Sequence, residues 1–215
     1  MKIFIGSAII KEIEWAEERG LIDGVSTNPS FLSKADRKLS EVVNDIFKLI
    51  KDRPVGIEAV SQEIDDIIEE ARGISKIAKN VVVKIPLTDQ GLIAIRKLAE
   101  KGIKTDATLV FTPAQALLAA RAGARFVSIF VGGLNDAGNK GMEVVKEVVR
   151  IFQNYDMPTM VRASAIRNVR EVEEAALAGA DAATVPFKVL VQMFRHDLTD
   201  ASIRKYQTDW EKVPK

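Results

Sequence analysis

Short runs of β-branched and apolar residues recur along the chain at nearly even spacing: KIFIG (2–6), DGVST (23–27), PVGIEAV (54–60), NVVVKI (80–85), KTDATLV (104–110), ARFVSIFV (124–131), MPTMVRAS (157–164) and DAATVPF (181–187). Runs of this length, bounded by turn residues, read as strands. The segments between them carry a helical period. In SQEIDDIIEEARGISKIA, residues Ile64, Ile67, Ile68, Ala71 and Ile74 fall on one stripe, as the buried face of an amphipathic helix requires. QGLIAIRKLAEKG and NVREVEEAALAG end in the glycine expected just past a helix, and TPAQALLAARAG adds proline in its first turn. Strands alternating with helices imply βαβ units and a parallel sheet. Eight such pairs close a (β/α)8 TIM barrel. An open doubly wound sheet is the rival, and it calls for a glycine-rich turn after the first strand. GSAIIKE is not one. No linker or low-complexity stretch divides residues 1–215, so the expectation is one barrel domain with a C-terminal helix over about 198–212.

Composition adds exclusions. The 215 residues carry 31 Lys and Arg against 30 Asp and Glu. That balance gives no electrostatic case for nucleic acid or for an anionic membrane. The apolar run in MKIFIGSAIIKEIEWAEERG meets charges by residue 11, too early for a spanning helix and poorly built for a signal peptide. The expectation is a cytoplasmic protein. There is no cysteine, which removes disulfides, thiolate metal sites and a cysteine nucleophile. With a single histidine, His196, a zinc site lacks its usual ligands. No metal and no cofactor are expected.

In a barrel the active site gathers at the C-terminal ends of the strands. Lys84 follows three valines at the end of the fourth strand, where lysine is almost never buried without a partner. Glu58 ends the third strand, Asn28 follows the second, Thr108 is near the end of the fifth and Ser128 near the end of the sixth. Burial disfavours the charged ammonium and leaves a free amine able to form a Schiff base with a carbonyl substrate. Glu58 is the natural proton shuttle. Its carboxylate would also hold the lysine charged, and the sequence does not say which effect wins.

These residues resemble a known family. DGVSTNPSFLSK (23–34), VVVKIPLTDQGLIAIRKLAEKGI (81–103), ATLVFTPAQALLAARAGARFVS (107–128) and TDW (208–210) are similar to the short bacterial and archaeal transaldolases, including the fructose-6-phosphate aldolase group. The resemblance implies class I aldol chemistry: transfer of a dihydroxyacetone unit from a ketose resembling fructose 6-phosphate to an aldose, within carbohydrate metabolism of the pentose phosphate type. It implies Lys84 as the Schiff-base lysine, Glu58 as acid/base and Thr108 as holder of the catalytic water. Asn28 and Ser26 would bind substrate hydroxyls, Ser128 and Phe130 would line the donor pocket, and Arg167 would lie at the phosphate end. The partner implied is a small sugar or sugar phosphate, and the assembly a homo-oligomer, pentameric or decameric, with the C-terminal helix on a neighbour.

The departures matter as much. Gly6 stands where the family carries an aspartate, Asp106 where it carries asparagine, and Gly133 where it carries the main phosphate-binding arginine. Ala165 replaces a phosphate-binding serine, with Ser164 one place earlier. A one-residue shift along a strand turns a side chain to the other face. Arg162 adds a cation within the seventh strand. Reduced phosphate affinity follows, and sulfosugar transaldolases or an impaired sugar-binding relative are alternatives. A carboxylate lost at Gly6 and another appearing at Asp106 suggest a relocated acid at the mouth.

Overall fold

Each predicted strand run contains one strand. They are β1 (Lys2–Gly6), β2 (Gly24–Ser26), β3 (Val55–Glu58), β4 (Val81–Pro86), β5 (Thr105–Val110), β6 (Phe126–Phe130), β7 (Met160–Ser164) and β8 (Ala182–Pro186). In the computed structural model, which describes residues 1–214, neighbouring strands pair in parallel in the order β1 through β8. The ring closes where β1 pairs with β8 from Lys2↔Ala182 to Gly6↔Pro186. This is the (β/α)8 barrel that the spacing predicts. The strands are shorter than the runs because turn residues such as Asp23, Pro54 and Asp181 sit just outside the ladder.

Helices cover the outside: α1 (Ile10–Glu18), α2 (Pro29–Leu32), α3 (Leu39–Leu49), α4 (Ile64–Ser75), α5 (Asp89–Ala99), α6 (Pro113–Arg121), α7 (Val131–Asp136), α8 (Gly141–Asn154), α9 (Val169–Leu177), α10 (Phe187–Gln192) and α11 (Asp197–Trp210). The stripe predicted on α4 faces inward: Ile67, Ile68 and Ala71 are buried, and Ile64 and Ile74 pack against the same core. The glycines expected at helix ends, Gly102, Gly123 and Gly179, all have positive φ, which glycine adopts at no steric cost. Thr112 caps α6 in a full capping box with Gln115. His196 caps α11 through Nδ1, which accepts from the Leu198 amide at 3.1 Å.

Two cores result. The larger lies between barrel and helices, built from outward residues such as Ile5, Val83, Ile85, Val127 and Val185. The smaller is inside the barrel: Phe4, Val82, Phe126 and Ala182, with Met160 against them. Strand alternation separates the two sets. The interior above that apolar cluster is polar and holds the buried candidate residues Lys84, Asp106 and Ser128.

Candidate active site

Lys84 is 5% exposed on the inward face of β4. Its Nζ donates to Glu58 Oε2 at 2.7 Å and to the Thr27 backbone oxygen at 2.9 Å. The lysine is therefore buried and partnered rather than reaching out to solvent. Register accounts for the pair, since Glu58 is the β3 neighbour of Lys84, and register partners in parallel strands present their side chains on one face. Gly56 makes the approach possible. A Cβ there would lie 3.2 Å from Lys84 Cδ, so the stem runs over bare backbone. The Gly56 carbonyl in turn accepts from both the amide and the hydroxyl of Thr27, which aims the Thr27 oxygen at the ammonium.

Asp106 is the β5 register neighbour of Lys84 and is wholly buried. Its two oxygens accept from Ser128 Oγ at 2.8 and 3.1 Å, and Oδ2 also accepts from Arg162 Nη1 at 2.8 Å. The relocated acid that the sequence suggests is thus already paired inside the barrel. The Arg162 guanidinium lies 4.0 Å from the Phe4 ring centre and 4.2 Å from that of Phe126. Those are favourable cation–π distances in a dry interior. Burial pushes this guanidinium below the ordinary arginine range, and Asp106 opposes the shift. Its Nε has no acceptor among the described residues.

The remaining candidates divide between interior, mouth and rim. Ser26, Thr108 and Ser164 are buried at strand ends. Ser164 shares the inward face of β7 with Arg162 by alternation, and Ala165 after it has positive φ. The offset of the serine therefore leaves it facing the barrel interior. Thr108 precedes an irregularity in β5: the pairing with β6 shifts register between Ala107 and Val110, and Leu109 has positive φ. Bulges of this kind re-aim side chains beside active sites. Asn28 caps α2, its Oδ1 accepting from the Phe31 amide at 2.8 Å. Phe130 ends β6 and packs edge-on against Phe111, their ring centres 5.7 Å apart. Arg167 is on the exposed rim, its guanidinium bound to Asp136 of α7. Asp136 is held below the usual carboxylate range by that contact.

The two glycine departures are faced by aromatic rings. A Cβ at Gly6 would meet Phe31 Cζ at 2.9 Å and Thr184 Cγ2 at 3.1 Å. A Cβ at Gly133 would meet Phe130 Cδ1 at 2.5 Å and Phe111 Cε1 at 3.1 Å. Phe31, Phe111, Thr184 and Gly56 carry no charge that would single them out in the sequence. Only the fold brings them to the mouth.

A sequence model of the family described as Transaldolase/Fructose-6-phosphate aldolase matches residues 3–215. The chain belongs to that family. Relatives named "Probable transaldolase" span it from end to end. The one from Caldicellulosiruptor saccharolyticus is 54% identical, covering 100% of this chain and 99% of the relative. That from Geotalea daltonii is 49% identical with 100% of both chains covered, and that from Aquifex aeolicus 47% with 100% and 98%. Among solved structures, a mandelate oxidase mutant with an FMN adduct superposes with a TM-score of 0.59 at 15% identity, over 87% of this chain and 65% of that one. The last likeness concerns the barrel alone. Family and relatives support transaldolase or aldolase activity. Among the described residues, no helix is long and apolar enough to cross a membrane.

Proposed function

We propose that the protein is a class I transaldolase or aldolase in which Lys84 forms a Schiff base with a ketose. The observation that carries this reading is the buried Lys84 ammonium with Glu58 at 2.7 Å. Proton transfer from Lys84 to Glu58 leaves a neutral amine facing the barrel mouth. The amine attacks the ketose carbonyl, and Glu58 returns its proton to the departing hydroxyl, so that loss of water gives a protonated imine and leaves Glu58 as a carboxylate again. Breaking the neighbouring carbon–carbon bond sends its electron pair into the imine and releases an aldehyde, while Glu58 takes the proton of the hydroxyl that becomes that aldehyde. The resulting enamine either attacks a second aldehyde, which is transfer, or is protonated and hydrolysed, which is cleavage. Thr108 positions water at this stage, and Asn28, Ser26, Ser128, Phe130 and Ser164 shape the site for a dihydroxyacetone unit.

The substrate end departs from a phosphate site. Arginine binds phosphate through paired charge-assisted hydrogen bonds. At position 133 a glycine packs against two phenylalanines instead, and Arg167 is committed to Asp136. An unphosphorylated sugar fits this rim better than a sugar phosphate. Asp106, held by Arg162 and Ser128, orders Ser128 rather than meeting the sugar directly.

Borohydride trapping tests the reading. The protein is incubated in parallel with fructose 6-phosphate, fructose and dihydroxyacetone, reduced, digested and analysed by mass spectrometry. The expected result is a reduced adduct on Lys84, with fructose 6-phosphate no better trapped than fructose. An adduct confined to fructose 6-phosphate would overturn the reduced phosphate preference. No adduct with any of the three would favour a barrel that binds sugar without imine chemistry.

Glu58→Gln tests the proton-transfer role. Turnover is expected to fall by about 10²–10⁴, the usual contribution of a general acid or base, while trapping at Lys84 becomes slower without being abolished. Unchanged steady-state turnover would remove Glu58 from the mechanism.

The exposed C-terminal helix supports a homo-oligomer. Leu198, Tyr206 and Trp210 on α11 are each at least 70% exposed, and large apolar side chains left exposed together on one helix favour a partner that covers them. Sedimentation velocity is expected to give a pentamer or decamer that shifts to smaller species when Tyr206 and Trp210 are replaced by serine. A monomeric parent chain would refute it.

A further inference from the structure

Lys84 has two carboxylates beside it in register, Glu58 on β3 and Asp106 on β5. Only Glu58 touches it. We infer that Arg162 is a positioning residue for the imine chemistry: it holds Asp106, so that the lysine ammonium has Glu58 as its one carboxylate partner. This inference rests on the proposed Schiff base at Lys84.

The geometry argues for it in steps. Asp106 and Arg162 are fully buried, with side-chain exposures of 0% and 1%, and charges out of water interact strongly. Without Arg162, the Asp106 carboxylate would be an uncompensated anion with Lys84 as its register neighbour on β4. It would then hold the ammonium proton and oppose formation of the free amine. With Arg162 in place, the pair is close to neutral as the lysine experiences it. Ser128 cannot substitute, because a hydroxyl donates a hydrogen bond but brings no charge.

The other groups around Lys84 do not supply this balance. From β2 it meets the Thr27 carbonyl oxygen. Gly6 on β1, Ser128 on β6 and Thr184 on β8 are uncharged. Helices α4 and α5 pack on the outer side of β4. Their charged groups Asp65, Asp66, Glu69, Arg72, Asp89, Arg96 and Lys97 are solvent-exposed, as are Glu63, Lys76 and Glu100 at their ends, while Glu70 binds the loop amides of Val60 and Ser61. Lys188 on α10 is exposed.

A double-mutant cycle tests the role. The full-length protein and the variants Arg162→Met, Asp106→Asn and Arg162→Met/Asp106→Asn are incubated with dihydroxyacetone across a pH series. Each sample is reduced with borohydride, and the Lys84 adduct is quantified by mass spectrometry. Removing the cation alone is expected to move the pH of half-maximal trapping up by about one pH unit or more, the usual effect of a nearby uncompensated charge. Removing the anion alone moves it down, because Arg162 then repels the ammonium. The double variant returns close to the parent. A merely structural pair would lower thermal stability and leave all four midpoints together, which would overturn the inference. Should Arg162→Met fail to fold, Asp106→Asn decides alone: a lower midpoint supports the inference and an unchanged one overturns it. An adduct in the parent with coincident midpoints defeats this inference only. No adduct in the parent at any pH defeats the Schiff base and this inference with it.

Discussion

Replacing Lys84 by methionine is expected to reduce turnover by about 10⁴ or more and to abolish the borohydride-reducible adduct, as loss of a covalent nucleophile does in other enzymes. Methionine keeps an unbranched apolar stem over Gly56, so the loss should read on chemistry rather than on packing. Lys84→Arg should not rescue activity, because a guanidinium keeps the charge but does not deprotonate in proteins. The measurement is steady-state turnover with the best-trapped ketose, together with intact-mass analysis after reduction. Turnover near the parent level in Lys84→Met would end the Schiff-base reading, whatever the fold.

The second large effect concerns stability. Arg162→Ala is expected to lower unfolding free energy by about 3–5 kcal/mol, the range for breaking a buried ion pair from one side. It strands Asp106 in the barrel interior and withdraws the guanidinium from the rings of Phe4 and Phe126. For a chain of this size that corresponds to a fall in melting temperature on the order of 10 °C. The informative companion is Arg162→Met/Asp106→Leu, which removes both charges and fills the space with apolar groups. Buried pairs replaced in this way are often neutral or gain stability, so this variant should melt well above Arg162→Ala. Equal melting of the two would mean that packing between Phe4 and Phe126, not charge balance, sets the loss. Calorimetry on the three proteins checks it.

The barrel was legible because its signals are local and repeated. The alternation of β-rich runs with helical stripes, and the glycines at 102, 123 and 179, follow from backbone sterics and side-chain periodicity within a few residues. The pairing of Lys84 with Glu58 could be anticipated from two polar residues at the ends of adjacent strands. What escaped were relations between residues far apart in sequence. Asp106 read as a free acid at the mouth, and Arg162 as a stray cation. They are 56 residues apart, and no periodicity links β5 to β7 across the barrel. Phe31 and Phe111 carried no expectation, although they stand against Gly6 and Gly133. Short helices such as α2, α7 and α10 carry too few turns for a 3.6-residue pattern to appear. The bulge at Leu109 depends on strand pairing, which no local pattern reports.

The seam between β1 and β8 has a consequence for how the molecule is made. Lys2 pairs with Ala182 and Gly6 with Pro186, so the first strand waits for the last before the ring is complete. A nascent chain leaving the ribosome can stack βαβ units as they emerge, but both borders of the growing sheet stay open until residue 186 is released. Its edge carbonyls and amides are available for wrong partners throughout that interval. The cost of bringing such distant segments together falls on the folding barrier rather than on the finished structure. A version of this chain with its ends joined and new termini opened beyond β4 would turn that seam into a local contact and place the last closure beside Lys84.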